Sequence, residues 1–121
     1  MRFSKDHVWV RREGSEYVVG LTDYAQDELG EIAYVELQPP GSHIGDGEPI
    51  GSIESLKSSS DIYAPFNCLI LLINRRWEGD EATMINRDPS GEGWIVHVRA
   101  DSDNDFESLM DKAAYEAYIG R

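Results

Sequence analysis

The sequence predicts a mainly β fold, a sandwich or flattened barrel with short helices on its outside. Three observations lead there. Segments rich in β-branched and aromatic residues recur along the chain, such as Tyr17-Val18-Val19 and Trp94-Ile95-Val96. Clusters of Gly, Pro, Asn and Asp punctuate them, as at Pro39-Pro40-Gly41 and Asp88-Pro89-Ser90-Gly91. Helical spacing of apolar residues is confined to a short stretch after Leu21 and to the C-terminal tail.

In chain order, His7-Val8-Trp9-Val10 reads as a first strand. Arg11 to Glu16, with Gly14-Ser15 inside it, reads as a turn, and Tyr17 to Leu21 as the antiparallel partner. Thr22 or Asp23 can cap about two turns of helix whose Tyr24, Ala25 and Leu29 face inward, and Gly30 is placed to end it. Ile32 to Leu37 reads as a strand broken by Pro39-Pro40-Gly41. Gly45-Asp46-Gly47 reads as a tight acidic turn rather than a phosphate loop, because no helix pattern follows and Asp46 and Glu48 would repel an anion.

A strand ending near Ile50 and Ile53 then enters Glu54-Ser55-Leu56-Lys57-Ser58-Ser59-Ser60, and a second extended segment, Ile62-Tyr63, leaves it and is stopped by Pro65. Leu69 to Ile73 is a continuous apolar run, expected to be covered on both faces, with Asn67-Cys68 turning the chain before it through a left-handed residue. Trp77 to Asn86 is expected to hold a short helix around Glu81 to Met84, and Asp88 to Gly93 a turn. Trp94 to Arg99 reads as the last strand, with Trp94, Val96 and Val98 on one face and His97 and Arg99 on the other. In the tail, Phe106, Leu109, Met110, Ala113 and Ala117 follow helical spacing, with Asp103, Asn104 or Asp105 as caps. Tyr115, Tyr118 and Ile119 extend the apolar side and Gly120 ends it, giving one broken helix or two short ones.

A length of 121 residues corresponds to one domain, residues 1–121, able to bury a core without disulfides or metal. The net charge of -12 disfavours nucleic acid and anionic membrane surfaces and favours basic partners. One cysteine, Cys68, fits a reducing compartment and a buried structural role. The start of the chain has no apolar signal region and no run is long enough to span a bilayer, so the expectation is a cytoplasmic monomer.

Catalytic chemistry finds no support. His7, His43 and His97 are scattered without metal-type spacing, and one cysteine builds no thiolate cluster. No nucleophile elbow is present, and Trp9, Trp77 and Trp94 read as packing residues. What remains is Lys57, one amine on a hairpin turn beside small Ser58, Ser59 and Ser60, flanked by Glu54 and Asp61. Such a placement suits covalent modification of the amine.

These residues resemble those of the H protein of the glycine cleavage system, a lipoyl carrier family. The resemblance covers nearly the whole chain: Lys5 to Val10, Val19 to Ile32, Tyr34 to Leu37, Glu54 to Pro65 and Ile85 to Trp94. Glu54-Ser55-Leu56-Lys57, followed by Ser60-Asp61 and a proline, is its most specific part. The resemblance implies a lipoyl-type hybrid barrel-sandwich with C-terminal helical additions. It also implies lipoate joined by an amide to Lys57, attached by a lipoate ligase or lipoyl transferase. Glu54, Ser55 and Asp61 would serve loop recognition and contacts to the arm, and Asp6 is a further polar candidate near the arm's cleft. The implied partners are glycine decarboxylase, aminomethyltransferase and dihydrolipoamide dehydrogenase, and the carrier itself needs no catalytic residue.

Three positions depart from the pattern. The family's usual glutamate between His and Trp of the first strand is Val8, Asn67-Cys68 stands where Ser-Gly is usual, and Arg75-Arg76-Trp77 replaces acidic residues. Valine cannot accept a hydrogen bond from, or neutralise, an aminomethyl ammonium. Two alternatives therefore stand beside glycine cleavage. One is an H-protein-like lipoate-binding protein of sulfur oxidation working with a heterodisulfide-reductase-like complex, and the other is an unlipoylated structural or regulatory relative. A biotin carrier is disfavoured, since its lysine normally lies between methionines and Lys57 lies between Leu56 and Ser58.

Overall fold

Alternating apolar residues in short strands leave two sheets with one apolar face each, and the fold closes those faces on one another. A computed structural model of the chain describes residues 1–74, 93–102 and 104–120. The expected helix near Glu81 to Met84, most of the Asp88 to Gly93 turn, Arg75-Arg76-Trp77 and Asp103 lie outside the described residues.

Nine strands and three short helices are described. They are β1 (Arg2–Phe3), β2 (Val8–Glu13), β3 (Glu16–Leu21), α1 (Asp23–Leu29), β4 (Ile32–Leu37), β5 (His43–Ile44), β6 (Pro49–Ser55), β7 (Ser59–Tyr63), β8 (Cys68–Ile73), β9 (Val96–Ala100), α2 (Asn104–Glu107) and α3 (Lys112–Ile119). One sheet runs β1-β2-β3-β9-β8-β5 and the other β4-β6-β7. All the pairings are antiparallel. Val8, Val10, Val19, Cys68, Ile70, Val96 and Val98 of the larger sheet form one buried cluster with Val35, Ile53 and Ile62 of the smaller. This is the mainly β, two-sheet architecture with helical trim that the sequence predicts.

Several elements differ from expectation for local reasons. The β2–β3 hairpin is longer than read: pairing continues to Glu13 opposite Glu16. Only Gly14-Ser15 turns, with Gly14 at φ 63, the position where a two-residue turn demands glycine. Asn67 does not adopt left-handed backbone. Its side-chain oxygen instead accepts the Asp46 amide at 2.7 Å, and strand β8 begins at Cys68. The apolar run is not covered on both faces. A bulge between Ile70 and Leu72 shifts the alternation, so Leu72 pairs with His97 and is exposed while Ile73 is buried.

Trp94 precedes β9, and its ring meets the edge of the His97 ring at 4.7 Å, so it does not share the face of Val96 and Val98. Ile95 is fully buried. In the tail, Ala113 and Ala117 are exposed and Tyr115 is the buried residue of α3. The chain breaks where Met110 exchanges backbone hydrogen bonds with Phe3, and Asp111, not read as a cap, accepts from the Ala114 amide.

Two contacts fasten the outer parts. Trp9 lies over Gly20, its register partner, so closely that a Cβ on Gly20 would fall inside the indole. Tyr115 stacks on Phe3 at 4.6 Å, and its hydroxyl sits 2.8 Å from Thr22 Oγ1 and 2.9 Å from His7 Nδ1. His7 itself holds left-handed backbone, φ 66, and its carbonyl accepts the Thr22 amide.

Gly20→Ala is expected to lower stability by about 1–3 kcal/mol, read from the midpoint of urea unfolding, because the added methyl would overlap the buried indole of Trp9. A second expectation concerns pH. Burial holds the His7 imidazole below its ordinary pKa of 6.5, against the opposing pull of Asp6 and Glu28. As pH falls, the unfolded chain therefore takes the proton first, and stability present above pH 6.5 is lost as pH drops through that value towards the lowered native one. His7→Asn, which tolerates the same backbone, should lose stability less steeply than the parent between about pH 7.5 and 5.5.

Candidate functional site

Lys57 stands at the tip of the β6–β7 hairpin, whose connection is Leu56-Lys57-Ser58. Register is fixed from inside: Ile53 and Ile62 are buried, Ser60 lies opposite Ile53, and Gly51 lies opposite Ile62. Gly51 has a steric reason, since a Cβ there would strike the Glu36 carbonyl and the Leu37 side chain.

One side chain ties the loop. The Ser55 hydroxyl donates to the Ser58 carbonyl at 3.0 Å and accepts the amides of Ser58 at 3.1 Å and Lys57 at 3.3 Å. The Ser55 amide also donates to the Ser58 carbonyl at 2.8 Å. The Leu56 amide donates to the Glu31 carbonyl at 3.1 Å, joining the loop to the segment after α1. The backbone beneath the amine is thereby held while the amine stays exposed.

Helix α1 forms the support on the other side. Thr22 caps it, accepting the Ala25 amide, and Gly30 ends it at φ 76, with its amide donating to the Gln26 carbonyl. The stem of Lys57 lies over Gly30, where a Cβ would come within 3.5 Å of Cε and 3.7 Å of Nζ. The amine therefore sits by the carbonyl end of a short helix, where a cation is favoured. Sequence reasoning read Gly30 only as a helix stop; its spacing from Lys57 carried no sign of this contact.

Glu54 and Asp61 are exposed on the outer face of the smaller sheet, where the cross-strand rows are Tyr34–Glu54–Ser59 and Glu36–Ser52–Asp61. Asp61 borders a shallow cleft with Glu36, Leu37 and Pro49. Asp6 is exposed in a different cleft, with Ser4, Asp46, Pro65 and Ser108. Ser55 and Lys57 are thus joined directly, Glu54 and Asp61 share a sheet face beside them, and Asp6 lies elsewhere. Val8 is fully buried in the core, paired with Leu21.

Other reactive groups are quiet. Cys68 is fully buried and its thiol is pushed up to about 12, first by burial and then by the Asp101 charge, so it is not a nucleophile. Among the described residues, no group of three His, Cys, Asp or Glu side chains could hold a metal ion.

The family model for the glycine cleavage H-protein matches residues 1–121. The chain belongs to that family. Similar H-family relatives include the glycine cleavage system H protein of Chlorobium phaeovibrioides, 42% identical over 122 residues, covering 99% of this chain and 94% of the relative. That of Anaeromyxobacter sp. (strain K) is 40% identical over 119 residues, covering 98% and 92%. A probable mitochondrial glycine cleavage system H protein 1 of Dictyostelium discoideum is 41% identical, covering 98% of this chain and 81% of the relative. The crystal structure of a glycine cleavage system H protein from Mycobacterium marinum superposes with a TM-score of 0.86 at 28% identity, covering 98% of this chain and 95% of that one. The two-sheet fold is therefore the lipoyl-type barrel-sandwich that the resemblance implied.

Ser55→Ala removes three hydrogen bonds at once. Amide hydrogen exchange at Lys57 and Ser58 should accelerate by about tenfold. Global stability should fall by no more than about 1 kcal/mol, because the loop lies outside the core.

Proposed function

We propose that this chain is the non-catalytic carrier of a glycine cleavage system and holds lipoate in amide linkage on Lys57. The observation that carries the reading is an exposed amine at the tip of a hairpin tied by Ser55, in a chain matched over residues 1–121 by the H-protein family.

The residues present fit that group. Among the described residues Lys57 Nζ has no ion-pair partner, and the neighbouring Ser58, Ser59 and Ser60 are small and exposed, so an acyl chain meets no wall. When bound, the dithiolane supplies a sulfur pair able to accept a transferred group and electrons. The chain's own residues do the rest. The hairpin projects the attachment point, Ser55 keeps its backbone fixed, and the outward carboxylates of Glu54 and Asp61 keep the surroundings acidic and hydrated. A fixed base with a long tether raises the effective concentration of the carried group at each partner's site.

On this reading the partners are a lipoate ligase or lipoyl transferase, glycine decarboxylase, aminomethyltransferase and dihydrolipoamide dehydrogenase. The buried thiol of Cys68 is compatible with a reducing compartment, and we place the carrier in the cytoplasm. No helix among the described residues is long and apolar enough to cross a membrane.

One observation favours a second reading. Val8 occupies the strand position where the family pattern has an acid, and it is fully buried, so nothing there can neutralise an ammonium. A carrier of sulfur, serving a heterodisulfide-reductase-like complex, has no need of that acid.

Expression with a lipoate ligase and lipoate should raise the intact mass by one lipoyl group, and Lys57→Arg should abolish the increase. An unchanged mass in the parent chain overturns the carrier reading. The lipoylated protein mixed with glycine decarboxylase should support glycine–bicarbonate exchange; lipoylation without exchange selects the sulfur carrier.

A further inference from the structure

Two large apolar side chains are exposed beside the attachment point. Leu56, next to Lys57, is 73% exposed and Tyr34 is 50% exposed. Tyr34 is the register partner of Glu54 on the outer face of the smaller sheet, and Leu56 follows Glu54 by two residues. Their neighbours are acidic: Glu31, Glu36, Glu54 and Asp61 are all exposed. Lys57 is the one Lys or Arg in the sequence between Arg12 and Arg75. On β4, β6, β7 and the turn that joins β6 to β7, exposed carboxylates therefore accompany these two apolar side chains, with Lys57 the one cation.

Single exposed apolar residues are ordinary on protein surfaces. Here two of the five large exposed ones among the described residues lie on the hairpin that carries Lys57 and on the strand paired with it. The Leu56 backbone is also anchored to Glu31, so its side chain is presented in a fixed place. A leucine so exposed contributes little to folding, and a partner that covers it gains the burial instead. The single-sign field selects a partner whose own surface is basic and speeds its approach.

We propose that Leu56 and Tyr34, within the ring of Glu31, Glu36, Glu54 and Asp61, form the docking face for the enzyme that lipoylates Lys57. That enzyme presents an apolar notch bordered by Lys and Arg. The inference rests on the carrier reading. The occupant is the lipoylating enzyme because Leu56 is adjacent in sequence to the amine and must enter the active site with it. In that step the lipoate carboxyl, activated by ATP with release of pyrophosphate, forms an amide with Nζ. AMP leaves and the amine gives up its proton to solvent.

The test uses the full chain as substrate of a lipoate ligase with lipoate and ATP, with initial rates measured against carrier concentration. Leu56→Ser and Tyr34→Ser should each raise KM by about tenfold and leave kcat within about twofold. Raising salt from about 0.05 to about 0.3 M should raise the KM of the parent chain. Leu72→Ser, which changes an exposed apolar residue on the other sheet, should leave both constants unchanged. Parent-like KM values in the Leu56 and Tyr34 variants, or an equal rise in Leu72→Ser, overturn the docking face and leave the carrier reading standing. Failure of the parent chain to be lipoylated overturns both.

Discussion

The position of Lys57 depends on the register of one strand pair. Of the twelve residues of β6 and β7, only Ile50, Ile53 and Ile62 are buried, and these bind the two strands to the core. A slip by one residue would turn those isoleucines to water and bury Glu54 and Asp61 in their place. Neither exchange is tolerable, so the apolar contacts below the sheet decide which residues form the loop above it. The loop needs no apolar contact of its own. Ser55 supplies three hydrogen bonds from one hydroxyl, enough to shape three residues without covering them. Stability is thus located in the core and accessibility at the tip, and the two requirements do not compete.

Helix α1 connects this tip to the C-terminal helix α3. Its N-cap Thr22 is bonded to the Tyr115 hydroxyl of α3, which also meets the ring of the strained His7. Its last residue leads to Gly30, on which the lysine stem rests. Seven residues of helix would be marginal alone, so their order derives from these two ends and from Ala25 in the core. The left-handed backbone at His7 belongs to the same assembly: it turns the chain so that its carbonyl receives the Thr22 amide while its ring reaches Tyr115.

Much of this was legible in the sequence because it rests on short-range chemistry. Strand periodicity, the Thr22 cap, the Gly30 stop and the acidic turn at Gly45 to Glu48 each follow from residues a few positions apart. The Lys57 hairpin could be drawn from Ile53, the serines and Pro65. The features that were missed depend on pairs distant in sequence. Tyr115 belongs to the His7–Thr22 contact only because α3 folds back over β1, and no local pattern announces that. The apolar run at Leu69 to Ile73 looked buried on both faces because a bulge leaves no mark in composition; the bulge turns Leu72 outward. Helical spacing singled out Ala113 and Ala117, yet the buried face is set by Tyr115, which finds a stacking partner in Phe3.

Val8 is structurally separate from the Lys57 hairpin. The lysine, its serine tie and its glycine seat involve β6, β7 and the end of α1, and none of them touches the sequence choice at the start of β2. A side chain at position 8 points into the shared core between the sheets, with Val10 and Leu21 among its companions. An acid in that setting would have to be hydrated or paired, which means opening the core beside it. Valine closes it. With valine there, the apolar core is continuous. The exposure of Lys57 and the sealing of the core at position 8 thus rest on different residues, and a change at one leaves the other in place.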